Sequence, residues 1–117
     1  ARGAAYGYAY NLLLGPRGQA GLAPNAFRRP SELAGFTDGG QVNGFQPPAS
    51  PEQPMLEEFY FFDTNALSAT VHFRHRQAAQ VWFADGHVGP ERVETGSLDP
   101  RLPGETIGRL RTVVVVP

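Results

Sequence analysis

The fold is decided by residues 69–88, which read A-T-V-H-F-R-H-R-Q-A-A-Q-V-W-F-A-D-G-H-V. Strict alternation of apolar and polar residues over Ala69–His75 predicts a strand whose successive side chains point to opposite faces of a sheet. Residues 80–84 are the next predicted strand, and the Asp-Gly pair at 85–86 is a strong hairpin signal. We expect an antiparallel meander whose two-residue type I′ loop sets two cross-strand pairs: Ala84 with His87, and Phe83 with Val88.

Four further segments have strand-like patterns and are separated by connections rich in Gly and Pro. Alternating tyrosines, aromatic residues on both faces and consecutive valines are all typical of strands. The four segments are Ala1–Asn11 (continued through Leu14), Pro30–Thr37 (ending in a turn at Asp38-Gly39-Gly40), Met55–Phe62 and Leu110–Val116. Residues 15–30 and 41–54 are predicted loops. The predicted fold class is mainly β: a small antiparallel sheet of five to six short strands with long Pro/Gly-rich loops.

Composition narrows the function classes further. The chain has 117 residues, a net charge of −1, 10 arginines and no lysine or cysteine. A nucleic-acid partner is not predicted, because such binding needs a strongly basic face. Without cysteine the chain has no disulfide, no Cys-ligated zinc and no thiol nucleophile. No apolar run reaches the roughly 20 residues that span a bilayer.

Three histidines, His72, His75 and His87, lie near Asp85 in the sequence and suggest a zinc site or a His–Asp catalytic pair. Strand geometry argues against both, because His72 and His75 are three residues apart and point to opposite faces. Asp85 would lie about 13 Å from His75 after four residues of strand rise. The favoured interpretation is architectural, with histidines hydrogen-bonded in the sheet and an aspartate in a turn. A metal-dependent hydrolase stays as the alternative.

Aromatic and valine side chains on the predicted strands offer contacts to other molecules. Tyr60 and Trp82 could stack on sugar rings, since Trp82 faces away from Val81 and Phe83. The favoured interpretation of Trp82, however, is that it packs beneath the proline-rich loop, with sugar stacking as the alternative. Candidate contacts for subunit assembly are Tyr6, Tyr8, Tyr10, Phe59, Phe61, Val113, Val114, Val115 and Val116.

One motif resembles a known family. His75, nine intervening residues and then Asp85-Gly86-His87 look like the C-terminal signature of prepilin-like, type II pseudopilin-related surface proteins of planctomycete and verrucomicrobia type. Y-G-Y-A-Y-N at 6–11 and R-P-S-E-L-A-G-F-T-D at 29–38 resemble further blocks of that family. Members open with a basic leader and a long apolar helix that this sequence does not contain. The resemblance therefore implies that residues 1–117 are a single C-terminal head domain, which would be α+β only if that helix were counted.

The resemblance implies a structural protein at the cell surface or outside the cell, and no catalytic residue is carried over. The first expected function is a structural subunit of a pilus-like, filamentous assembly, whose partners are copies of itself or related pilin-like subunits. The alternative is a ligand-binding head, for carbohydrate, on a secretion-type envelope machine. No cofactor is predicted. Calcium stays open as an alternative but is not predicted, because residues 38–43 have oxygen ligands and lack the alternating acidic spacing of a calcium loop.

Overall fold

A computed structural model describes residues 7–14, 29–65 and 67–117. Within these ranges the chain forms nine strands and one helical turn, with 3-10 turns at Leu12–Leu14, Pro30–Glu32 and Pro103–Glu105. The strands and the helix are β1 (Gly7–Asn11), β2 (Ala34–Gly39), β3 (Gln41–Asn43), β4 (Met55–Glu57), β5 (Phe61–Phe62), β6 (Val71–His72), β7 (Ala78–Phe83), β8 (Val88–Arg92), β9 (Ile107–Gly108) and α1 (Thr112–Val115). The prediction of a mainly β fold is confirmed.

Seven of these strands form one sheet with β2 at its centre. One edge of β2 pairs with β1, and its other edge pairs first with β7 and then with β6. β8 continues the sheet from β7, and β9 continues it from β6. The sheet is mixed because β5 runs parallel to β1. β3 and β4 form a separate two-stranded sheet, so the described residues hold more strands than the five to six expected.

Alternation along the strands separates a buried face of the large sheet from an outer face. Ala9, Thr37 and Val81 are aligned across β1, β2 and β7 and are fully buried. They belong to the face that meets the main core, whose largest side chains include Phe62 and Phe73. A second, smaller core joins Val42, Leu56 and Ile107 beneath β3 and β4.

Asn11 joins three elements from within the core. Its buried amide nitrogen donates to the carbonyl oxygens of Ala34 at 2.9 Å and of Val115 at 2.7 Å. Its side-chain oxygen accepts from the backbone N–H of Leu13 at 3.0 Å. The amide thereby links β1, β2 and α1 and satisfies backbone groups that would otherwise be buried without partners.

The predicted meander of residues 69–88 is only partly formed. β7 pairs with β8 as a hairpin, but β6 pairs with β2 and β9 instead of with β7, and the two turns differ from the prediction. The two-residue loop lies at Arg76-Gln77, where both residues have positive φ (54° and 65°) and His75 and Ala78 exchange backbone hydrogen bonds. This is the φ pattern of a type I′ turn, formed here without glycine.

The predicted two-residue loop at Asp85-Gly86 is wrong by one residue. Phe83 N–H donates to the carbonyl of His87, and Trp82 pairs with Val88, so the loop has three residues, 84–86. Gly86 takes the positive φ (94°) that closes such a three-residue hairpin. The predicted pairs of Ala84 with His87 and of Phe83 with Val88 are therefore not formed.

Asp38 and Gly39, predicted as part of a turn, lie inside β2. Gly39 is needed for close approach rather than for turning the chain. A Cβ added there would stand 2.5 Å from the carbonyl oxygen of Phe59 and 2.9 Å from the Cβ of Ala9. The chain after β4 can therefore cross closely over the end of β2 only because residue 39 has no side chain.

The predicted single strand Met55–Phe62 is divided between two sheets. β4 pairs with β3, whereas β5 pairs with β1. Leu56 consequently enters the small core and Phe62 the main core. The aromatic side chains on both faces are explained by this division rather than by one strand buried on both sides.

The predicted terminal strand Leu110–Val116 is also wrong, because Thr112–Val115 form the helical turn α1. β-branched residues prefer strands, but tertiary packing overrides such preferences in short segments. Val114 and Val115 are buried in the main core, and Asn11 bonds the carbonyl of Val115. Leu12–Leu14, predicted to extend the first strand, form a 3-10 turn instead.

The turn at Arg76-Gln77 generates a stability prediction. In the left-handed region of backbone conformation, steric contacts of the Cβ destabilise a residue by roughly 1–2 kcal/mol. Glycine has no Cβ and avoids this cost. We expect Gln77→Gly to raise the free energy of unfolding by about 1 kcal/mol in urea denaturation. Gln77→Ala is the matched control, since it keeps the Cβ and should give no such gain. A Gln77→Gly protein less stable than Gln77→Ala would contradict the assignment of this turn.

Candidate functional site

The outer face of the large sheet carries a row of apolar side chains that crosses four strands. The register pairs Tyr10 of β1 with Phe36 of β2, Phe36 with Trp82 of β7, and Trp82 with Val88 of β8. Residues paired in this way project from the same face of a sheet, with neighbouring strands about 4.8 Å apart. Tyr8, two residues before Tyr10, projects from the same face.

Tyr8, Phe36 and Trp82 form what we call the aromatic shelf. Their exposed fractions are 66%, 56% and 37%. The rings of Tyr8 and Trp82 meet edge to face, with centroids 5.5 Å apart and planes at 88°. The three side chains line a shallow cavity of about 320 Å³. Trp82 is thus partly open to solvent and contacts Tyr8.

A polar cluster of Asp38, Arg74 and His75 adjoins the shelf. The Asp38 carboxylate lies 3.3 Å from an Arg74 guanidinium nitrogen and 3.2 Å from Nε2 of His75. Asp38 also accepts the backbone N–H of Gln80 at 3.0 Å, and Arg74 donates to the carbonyl of Gly7 at 2.8 Å. The cluster therefore links β1, β2 and β7 with the segment that precedes the turn at Arg76-Gln77.

Burial within the polar cluster is graded. The side chains of Asp38 and Arg74 are 5% and 11% exposed, whereas that of His75 is 50% exposed. Asp38 belongs to the outer face of β2, and its partners shield it from water. Sequence reasoning missed this site because Asp38 precedes two glycines and was assigned to a turn. The spacing of Phe36 and Asp38, two residues apart on one strand, is the signal that places both on one face.

The four residues of the His-(nine residues)-Asp-Gly signature have separate structural roles. His75 contacts Asp38, whereas the partner of Asp85 is His87, with Nδ1 of His87 2.5 Å from the Asp85 carboxylate. Asp85 also accepts the backbone N–H of His87, and these hydrogen bonds lower the pKa of Asp85 below its ordinary value. Gly86 supplies the positive φ of the turn.

The imidazole of His87 also stacks on Phe83, with ring centroids 4.4 Å apart and planes at 5°. His72, the third histidine, is buried in β6. Within residues 7–14, 29–65 and 67–117, no three His, Asp or Glu side chains converge into a group that could hold a metal ion. The signature residues thus shape the two ends of the hairpin.

A second aromatic group, which we call the edge cluster, lies where β5 ends the sheet. Phe59 contacts Tyr60 and Phe61 at centroid distances of 5.1 and 4.8 Å, and Tyr60 lies 6.5 Å from Tyr10. Tyr60 is 62% exposed. The candidate assembly residues Tyr10, Phe59 and Phe61 are therefore brought together around Tyr60.

The remaining candidate assembly residues lie elsewhere. Val113 and Val116 are exposed on α1 and just after it, whereas Val114 and Val115 are in the main core and are unavailable to a partner. Tyr6 falls outside the described residues. Tyr8 belongs to the aromatic shelf.

The buried ion pair of the polar cluster yields a second prediction. Removing one member of a buried charge pair typically destabilises a protein by about 3–5 kcal/mol, because the other charge stays buried. We expect Asp38→Asn to lower the free energy of unfolding by about 3 kcal/mol in urea at pH 7. Glu52→Gln, at an exposed loop position, is the control and should change it by less than about 0.5 kcal/mol. Equal losses in both variants would show that Asp38 does not hold the cluster together.

Comparison with known proteins identifies no relative of this chain, so its function is inferred from its own geometry. No protein-family model, no curated protein and no solved structure matches this sequence. Across the part of the chain that the structure describes, no helix has the length and apolar character needed to cross a bilayer.

Proposed function

We propose that this chain is a structural subunit of an extracellular or cell-surface, pilus-like assembly, acting through contacts with copies of itself or related subunits. The observation that carries the proposal is the edge cluster, in which four aromatic side chains gather at one edge of the sheet with Tyr60 largely exposed. The resemblance of the sequence to pseudopilin-related head domains supports the same role. No catalytic step is part of the proposal.

The edge cluster has the composition of a protein contact. Aromatic residues are enriched in the cores of protein interfaces, and tyrosine is frequent among the residues that dominate binding energy. Burying an aromatic side chain the size of phenylalanine contributes roughly 1.5–3 kcal/mol. Tyr60 alone could therefore contribute a substantial part of a weak subunit contact.

Strand pairing between subunits is less favourable than side-chain contact. The large sheet ends in β5, β8 and β9, and both β5 and β9 have two residues. β8 is longer, but it contains Pro90, which has no N–H to donate to a neighbouring strand. Short edge strands and proline are features that protect a sheet against edge-to-edge pairing. The valines of α1 do not supply an edge strand either.

The signature residues support a structural role from another direction. His75 and Asp85 have different partners at opposite ends of β7, and each stabilises the end of a hairpin. Such contacts position backbone and leave no shared reactive centre between the two residues. We therefore assign these side chains to maintaining the shape of the head domain that presents the edge cluster.

The proposal is tested by self-association. We expect sedimentation equilibrium to show concentration-dependent association of the wild-type chain. Tyr60→Ser should weaken this association at least tenfold, because the variant loses about 1.4 kcal/mol of the free energy gained by burying the tyrosine ring. Phe45→Ser is the matched control, since Phe45 is an aromatic residue of similar exposure (69%) outside the edge cluster. A wild-type monomer at every concentration, or equal weakening by both variants, would contradict the edge cluster as the self-association surface.

A further inference from the structure

We infer that the aromatic shelf and the adjoining polar cluster together form a binding site for a neutral oligosaccharide. The site lies on the outer face of the large sheet, at Tyr8, Phe36 and Trp82, with Asp38 and His75 beside them. This inference does not rest on the proposed assembly function, which uses the edge cluster instead.

The shelf provides the apolar half of the site. A pyranose ring has one face rich in C–H groups, and such a face packs against exposed aromatic rings as other apolar surfaces do. Phe36 and Trp82 are direct cross-strand partners, and the Tyr8 ring meets Trp82 nearly at a right angle. The side chains thus form an angled surface that lines a cavity of about 320 Å³, open to solvent.

The polar cluster provides the hydrogen-bonding half. Gly7, Tyr8, Asp38, Arg74 and His75 line a second cavity of about 190 Å³, and Tyr8 also lines the first. The two cavities therefore share one wall. His75 is half exposed and lies at the solvent side of the cluster. A sugar stacked on the shelf would direct hydroxyl groups from its ring edge toward the half-exposed imidazole of His75.

Charge balance favours a neutral ligand. The guanidinium of Arg74 is paired with the buried carboxylate of Asp38, so the site presents no excess positive charge to an anion. Single-stranded nucleic acid also stacks on aromatic residues, but it needs a basic groove along its backbone. A ring with one apolar face and a hydroxylated edge fits both halves of the site.

Trp82 makes the inference directly testable, because it is the single tryptophan of the chain. Its fluorescence would be followed during titration with cellohexaose, mannohexaose and chitohexaose, with sorbitol as a hydroxylated compound that has no ring. We expect a saturable change with at least one oligosaccharide and none with sorbitol. No saturable change with any of the three, or the same response to sorbitol, would overturn the inference.

Variants then locate the binding site. Tyr8→Ala should raise the dissociation constant for the oligosaccharide at least tenfold. Phe45→Ala, at an exposed aromatic position outside the shelf, should leave that constant unchanged. Circular dichroism and urea unfolding show whether each variant folds. If Tyr8→Ala does not fold, Tyr8→Ser and Phe36→Ala, measured by calorimetry, replace it. Binding unaffected by folded shelf variants would overturn the inference.

The oligosaccharide site and the assembly surface can fail independently. Tyr60→Ser should weaken self-association and leave the sugar titration unchanged, whereas Tyr8→Ala should have the opposite pattern. Loss of sugar binding in Tyr60→Ser, with the fold intact, would place the ligand at the edge cluster and overturn the assignment to the shelf.

Discussion

The outer face of the sheet depends on the ion pairs and the hydrogen bond made by the buried carboxylate of Asp38. It accepts the backbone N–H of Gln80 and lies within ion-pair distance of Arg74 and His75. Arg74 in turn bonds the carbonyl of Gly7. A buried charge is tolerated only when it is paired and hydrogen-bonded, so these groups must stay in place together. One side chain thereby connects β1, β2 and β7 where the aromatic shelf is built.

The large sheet carries two aromatic surfaces of different character. The aromatic shelf lies across the middle of the sheet beside the polar cluster, where apolar rings and polar groups adjoin. The edge cluster lies at β5 and contains the exposed ring of Tyr60. A site with both characters suits a small amphipathic ring, whereas an aromatic edge suits another protein. Association through the edge cluster would therefore leave the aromatic shelf open.

Local patterns predicted some features well and others poorly, for identifiable reasons. Alternation placed Trp82 on the face opposite Val81 and Phe83, because side-chain direction follows from strand period alone. Residue preferences in turns, by contrast, wrongly predicted a turn at Asp38, since an aspartate before two glycines is typical of a turn. Gly39 is there for the crossing of a distant segment near Phe59, a contact that local sequence cannot reveal. The position of the edge cluster depended likewise on which sheet β5 joined.

The amino-acid sequence by itself determined the mainly β fold, the hairpin that turns at Asp85-Gly86 and the alternation of core and outer faces along its strands. These follow from the two-residue period of a strand and from turn chemistry, which act over a few neighbours. Only the tertiary structure decided that Asp38 meets His75, and that Val114 and Val115 form a helical turn in the core. Such outcomes depend on packing and on the pairing of buried polar groups between segments far apart in the chain, and these interactions outweigh local preference.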